Sequence, residues 1–76
     1  MQELVEYLAK GLVDEPDQVR VDRIERDGAV VLELHVAPDD VGKVIGRQGR
    51  IARALRTIVR ASGARSNERA LLEIVG

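Results

Sequence analysis

Two glycines separated by two residues stand among cations in the run Val41-Gly42-Lys43-Val44-Ile45-Gly46-Arg47-Gln48-Gly49-Arg50-Ile51-Ala52-Arg53-Ala54-Leu55. Glycine accepts backbone angles that a Cβ forbids, so Gly46 and Gly49 allow a tight turn and the close approach of a ligand to the main chain. The turn feeds a helix whose first N–H groups lack partners within the helix and whose dipole favours an anion. Arg47 lies inside the turn, Arg50 just after it, and Lys43 one helical turn before it. These residue types at this spacing make a phosphate site with its counter-charges supplied. The pair Gly42-Lys43 is not a P-loop, because no Ser or Thr follows the lysine and the upstream glycine spacing is missing.

The helix after the turn extends the basic surface. On a helical wheel Arg50, Arg53, Arg56 and Arg60 share an arc of roughly 120°, while Ile51, Leu55, Ile58 and Val59 lie opposite and face a core. Arg65 and Arg69 prolong the surface. Seven of the eight cations between residues 43 and 69 are arginine, whose planar fork binds phosphate in a bidentate way. That segment holds one acid, Glu68, whereas residues 1–42 carry eleven acids against four cations. The net charge of −1 thus conceals an acidic part and a basic part, and polyanion binding follows the local field.

Regular elements must hold this surface in place. Gln2–Val13 reads as a helix with Leu4, Val5, Leu8 and Leu12 as its core stripe, stopped by Asp14–Asp17. Gln18–Arg26 and Ala29–Val36 read as strands joined by Asp27-Gly28, the signature of a type I′ hairpin. That turn pairs Val21 with Leu34, Asp22 with Glu33, Ile24 with Val31 and Arg20 with His35. Two consequences fit poorly: Arg23 and Glu25 fall on the apolar face, and Asp22 opposes Glu33. A short helix over about Asp39–Ile45 precedes Gly46; a longer one runs from about Arg50 to Ser62; Gly63–Arg69 is a loop and Ala70–Val75 a final strand. The order α-β-β-α-α-β predicts an α+β fold, a three-stranded mixed sheet with helices packed on one face and the last strand parallel to its neighbour.

Composition removes other function classes. Seventy-six residues allow one domain with a small core, and 45% hydrophobic content is globular. Absence of cysteine excludes disulfides and thiolate chemistry, and a single aromatic residue, Tyr7, disfavours base-stacking platforms. Glu3, Glu6 and Lys10 break any signal-like apolar run, and no stretch reaches the roughly 18 apolar residues of a membrane span. A cytoplasmic protein is expected. His35, the only histidine, reads as an exposed strand residue, so neither a metal site nor a catalytic set is expected, nor any cofactor or small-molecule substrate. Asp39 and Asp40 read as acids at a helix start. Ile24, Val31, Leu71 and Val75 fall on the sheet face away from the helices, where a contiguous patch would offer an association surface.

The segment Val44-Ile45-Gly46-Arg47-Gln48-Gly49-Arg50-Ile51 resembles the signature of the KH domain, Val-Ile-Gly-x-x-Gly before an apolar helix start. The usual isoleucine stands third after the second glycine, where this chain has Ala52, with Ile51 one place earlier. The element order is similar to the type II, prokaryotic form, and the resemblance covers residues 1–76 as one KH domain like those of small stand-alone bacterial KH proteins. It implies a GxxG turn, Gly46-Arg47-Gln48-Gly49, gripping the backbone of about four nucleotides of single-stranded RNA, beside which the charges of Lys43, Arg50 and Arg53 read as further phosphate contacts. Val44 and Ile45 would form one apolar wall, helped by Ala54; the final strand and the loop before it would form the other. It further implies a broad post-transcriptional regulator or RNA chaperone that forms a homodimer, a heterodimer with a larger KH-domain protein, or both. The competing reading is a protein-interaction module whose charge-split surface drives dimerisation, with RNA binding secondary.

Overall fold

The Asp27-Gly28 turn sets the sheet. In the computed structural model, which describes residues 1–76, these two residues have φ of 53° and 78°, the paired positive angles of a type I′ turn. The turn joins β1 (Arg20–Arg26) to β2 (Ala29–His35) in the predicted register, with Val21 opposite Leu34 and Asp22 opposite Glu33. β3 (Ala70–Val75) lies parallel to β2 on its other side, so β1 and β3 are both edge strands. Three α-helices, α1 (Gln2–Lys10), α2 (Val41–Ile45) and α3 (Arg50–Arg65), pack on one face. Val5 and Ala9 of α1, Val44 of α2, and Leu55 and Val59 of α3 meet Val21, Leu32, Leu34 and Leu72 of the sheet in one core. Leu32 and Leu34 of the middle strand have no exposed surface, which places them among side chains worth about 1.5–3 kcal/mol each on burial. At the β1 edge, the Gln2 side-chain amide donates to the Val21 carbonyl at 2.6 Å and ties the start of α1 to the sheet.

Several local boundaries depart from the sequence reading for tertiary reasons. α1 ends at Lys10, and its buried face is Val5 and Ala9; Leu4 and Leu12, read as core, are 43% and 37% exposed. The helix turns its i, i+4 pair to the sheet, which leaves Leu4 on the flank and Leu12 beyond the last turn. β1 begins at Arg20 because Pro16–Gln18 forms a 3-10 turn, and a second such turn over Pro38–Asp40 leaves α2 only Val41–Ile45. α3 continues through Gly63 to Arg65, leaving a loop of only Ser66–Arg69. Gly63 sits so close to β3 that an added Cβ would stand 2.7 Å from the Ala70 Cβ, so this glycine is a packing residue inside the helix.

One of the misfits in the hairpin, Arg23, is resolved by a partner from elsewhere in the chain. Arg23, on the apolar face near the hairpin tip, pairs with Glu68 at 2.8 Å. Arg26 on β1 reaches Glu73 on β3 at 3.1 Å, crossing the outer face of the middle strand. Beneath that pair Val31 is 2% exposed although it lies outside the helix-side core. His35 is a correction to the exposed reading: its side chain retains 24% exposure and sits 3.2 Å from Asp22 and 3.6 Å from Glu33.

Candidate nucleic-acid interface

The turn between α2 and α3 is built on three positive φ angles, Gly46 at 76°, Gln48 at 57° and Gly49 at 73°. Gly46 closes α2, donating to the Gly42 carbonyl at 2.9 Å, and the Gly49 N–H returns to the Gly46 carbonyl at 3.1 Å. A Cβ on Gly46 would stand 2.7 Å from Ile51 Cγ1, so two independent constraints, angle and space, require glycine there. Ile51 is thereby the residue that holds the turn against α3, a role its place one position early in the signature did not announce. No side chain caps the N-terminus of α3, although the Arg50 N–H is taken up by the Arg47 carbonyl within the turn.

The expected cations divide into two kinds. Arg47, Arg50, Arg53, Arg56, Arg60, Arg65 and Arg69 are all exposed, and none lies within ion-pair distance of a carboxylate. Arg50 makes one long contact, 3.5 Å to the Gln48 side-chain oxygen. Lys43 instead points at the acidic half, 3.0 Å from Asp14 and 3.7 Å from Asp40. The bond to Asp14, then its charge, holds the ammonium above its ordinary pKa of 10.5, so Lys43 stays protonated but occupied.

Asp40 has a further role the sequence did not reveal. It is 1% exposed and accepts the backbone N–H groups of Asp14 at 3.3 Å and Glu15 at 3.0 Å. A carboxylate so buried persists because its lone pairs are satisfied; it fastens the loop after α1 to the start of α2 and orients the turn. The signal is weak in sequence because its partners lie far away along the chain.

Of the two apolar residues before the turn, Val44 lies wholly in the core, while Ile45 is 37% exposed. The side chain of Val44 therefore supports α2 from within, and surface beside the turn comes from Ile45. On the other flank of α3, Arg56 and Arg60 face β3 across a hollow of about 350 Å³ lined by Ala70, Leu71, Leu72 and Glu73. Because β3 is an edge strand, its outer N–H and C=O groups are open there. A larger groove of about 630 Å³ lies on the opposite flank, between Tyr7, Leu8 and Leu12 of the α1 end and Ile51, Ala54 and Ile58 of α3. It carries only Lys10 and Arg50 as cations, so the basic chemistry belongs to the α3–β3 side.

The family model for the KH domain of KhpA and KhpB matches residues 2–74. The RNA-binding protein KhpA of Aquifex aeolicus is 55% identical over 75 residues, which cover 99% of this chain and 95% of that protein. KhpA of Caldanaerobacter subterraneus is 51% identical and KhpA of Clostridium acetobutylicum 49% identical, each over 75 residues covering 99% of this chain and all of the relative. No solved structure gives a significant match. A family match along nearly the whole sequence, with full-length relatives at about half identity, places this chain in the KhpA/KhpB family of KH domains.

Proposed function

We propose that this protein binds single-stranded RNA, gripping its backbone at the Gly46–Gly49 turn and laying the strand between α3 and the open edge of β3. The observation that carries the reading is the row of seven exposed arginines without acidic partners, continuous with a turn whose backbone is bare of side-chain caps. Arg47, Arg50 and Arg53 meet phosphates near the turn, Arg56 and Arg60 meet them further along, and Ile45 offers apolar contact to a base. Lys43 enters the site only by leaving Asp14. Relatives bearing the name RNA-binding protein support the same partner. One domain over residues 1–76 then acts by contact in the cytoplasm, as a broad post-transcriptional regulator or RNA chaperone. Replacement of Arg47 and Gln48 together by aspartate tests it. Asp tolerates the left-handed angle at position 48, so the fold survives, and RNA binding in a titration at fixed salt is lost. Binding like that of the unmodified protein overturns the proposal.

A second reading rests on the apolar groove at the α1–α3 flank, where Tyr7 is exposed and Leu12 is 37% exposed. There the protein self-associates or pairs with a larger KH-domain protein of the KhpB type, and two weak RNA sites act together. Light scattering of the protein and of Leu12→Asp, beside an RNA titration, separates the two. A dimer that retains no RNA favours association as the primary role; a monomer that retains RNA favours the first reading.

A further inference from the structure

The outer face of the sheet, away from helices and arginine row alike, holds a cluster that RNA binding does not use. The hairpin register sets Asp22 of β1 directly across from Glu33 of β2, and His35 lies two residues beyond Glu33 on the same face. One donor atom from each of the three side chains comes within 4.8 Å of the others. Two carboxylates directly opposed across strands repel and destabilise the pair unless something positive sits between them. Arg20 supplies part of this, its Nε 3.2 Å from Asp22 Oδ2, but its side chain is 64% exposed and it does not reach Glu33. The imidazole Nε2 is buried from solvent and has no hydrogen-bond partner, although it lies 3.2 Å from Asp22 Oδ2 and 3.6 Å from Glu33 Oε1. The carboxylate oxygens are near the nitrogen without being aligned to bond it.

We infer that Asp22, Glu33 and His35 form a binding site for a divalent transition-metal ion of the zinc class. Imidazole nitrogen and carboxylate oxygen bind zinc at about 2.0–2.2 Å, so adjacent ligand atoms around a tetrahedral ion stand roughly 3.3–3.5 Å apart. The two spacings from Nε2, 3.2 and 3.6 Å, bracket that edge. A buried nitrogen without a hydrogen bond is a ready metal ligand, two carboxylates supply compensating charge, and water completes the fourth position. Asp22 gives up or shares Arg20 on binding, which keeps the affinity moderate. The ion then clips β1 to β2 on the face opposite the helices, a stabilising link that leaves the RNA side untouched.

The chain contains one histidine and no cysteine, which makes the test direct. Zinc chloride is titrated into ¹⁵N-labelled protein while the imidazole resonances are followed, with magnesium chloride as control. The expected result is a saturable one-to-one shift at Nε2 with zinc and none with magnesium, which prefers all-oxygen sites. Asp22→Asn and Glu33→Gln each weaken binding by at least the roughly tenfold that even an outer-shell change costs. Zinc raises the melting temperature of the unmodified protein by mass action and not that of His35→Gln. An imidazole signal unmoved by excess zinc, an equal response to magnesium, or carboxylate variants that bind like the unmodified protein overturns the inference. Should a variant fail to fold, the titration of the unmodified protein still decides.

Discussion

The molecule uses arginine in two opposite ways. On β1, Arg20, Arg23 and Arg26 all meet carboxylates, at 3.2, 2.8 and 3.1 Å. From the turn onward, Arg47, Arg50, Arg53, Arg56, Arg60, Arg65 and Arg69 meet none. Arg20 pairs along its own strand with Asp22, Arg26 crosses to Glu73 of β3 over Val31, and Arg23 reaches Glu68 in the loop before β3. The α3 arginines share a helix face without acids, so their charges add into one field available to a polyanion. Residue type alone therefore says little: whether an arginine serves fold or function depends on what acid its backbone position lets it reach.

The largest expected effect follows from reversing charge on the free row. Arg56→Glu with Arg60→Glu replaces two charge-assisted contacts, each worth about 1.5–3 kcal/mol, and weakens RNA binding by about a hundredfold or more in an anisotropy titration. The same reversal at Arg23 and Arg26 leaves RNA affinity nearly unchanged. Equal losses from both pairs would erase the distinction. Next in size, Gly46→Ala strains the positive φ and meets Ile51, costing about 1–3 kcal/mol in urea unfolding; an unchanged midpoint would show that neither constraint acts. Smaller still, Arg23→Ala removes a partly exposed pair and lowers stability by less than about 1 kcal/mol, while RNA binding stays the same.

Lys43 sharpens the comparison from the other direction, as the basic residue beside the turn that is already paired. Because its folded pKa lies above 10.5, its pairing contributes fully below the unfolded value and is lost only as pH rises through the folded one. The stability difference between the unmodified protein and Lys43→Met is thus constant from about pH 6 to pH 9 and shrinks only in stronger alkali. A difference that vanishes near neutrality would mean the ammonium is not held by Asp14.

Features governed by neighbouring residues were legible in the sequence, and features governed by distant ones were not. Asp27-Gly28 dictates its turn locally, and the turn dictates the register of every β1–β2 pair; Gly46 and Gly49 announce their turn in the same way. The buried carboxylate of Asp40 and the seat of Lys43 at Asp14 depend on contacts between segments far apart in the chain, while α3 continues through Gly63 because the absent Cβ leaves room for Ala70 of the packed strand. The placement of Leu4 and Leu12 on the surface has a related cause, since apolar periodicity fixes a stripe but the sheet selects which side of it to bury. At Asp22 and Glu33 the predicted register exposed a conflict of like charges, whereas the approach of the His35 Nε2 to 3.2 Å from Asp22 depends on side-chain placement that the register does not fix.

Salt dependence tests the central claim most directly. Affinity for a single-stranded RNA oligonucleotide is measured over a range of salt for the unmodified protein, Arg56→Ala with Arg60→Ala, and Arg23→Ala with Arg26→Ala. Each phosphate contact on a single strand adds roughly 0.7 to the slope of log affinity against log salt. The expected slope falls by about 1.4 for the α3 pair and stays unchanged for the β1 pair. Equal slopes in all three proteins would contradict it.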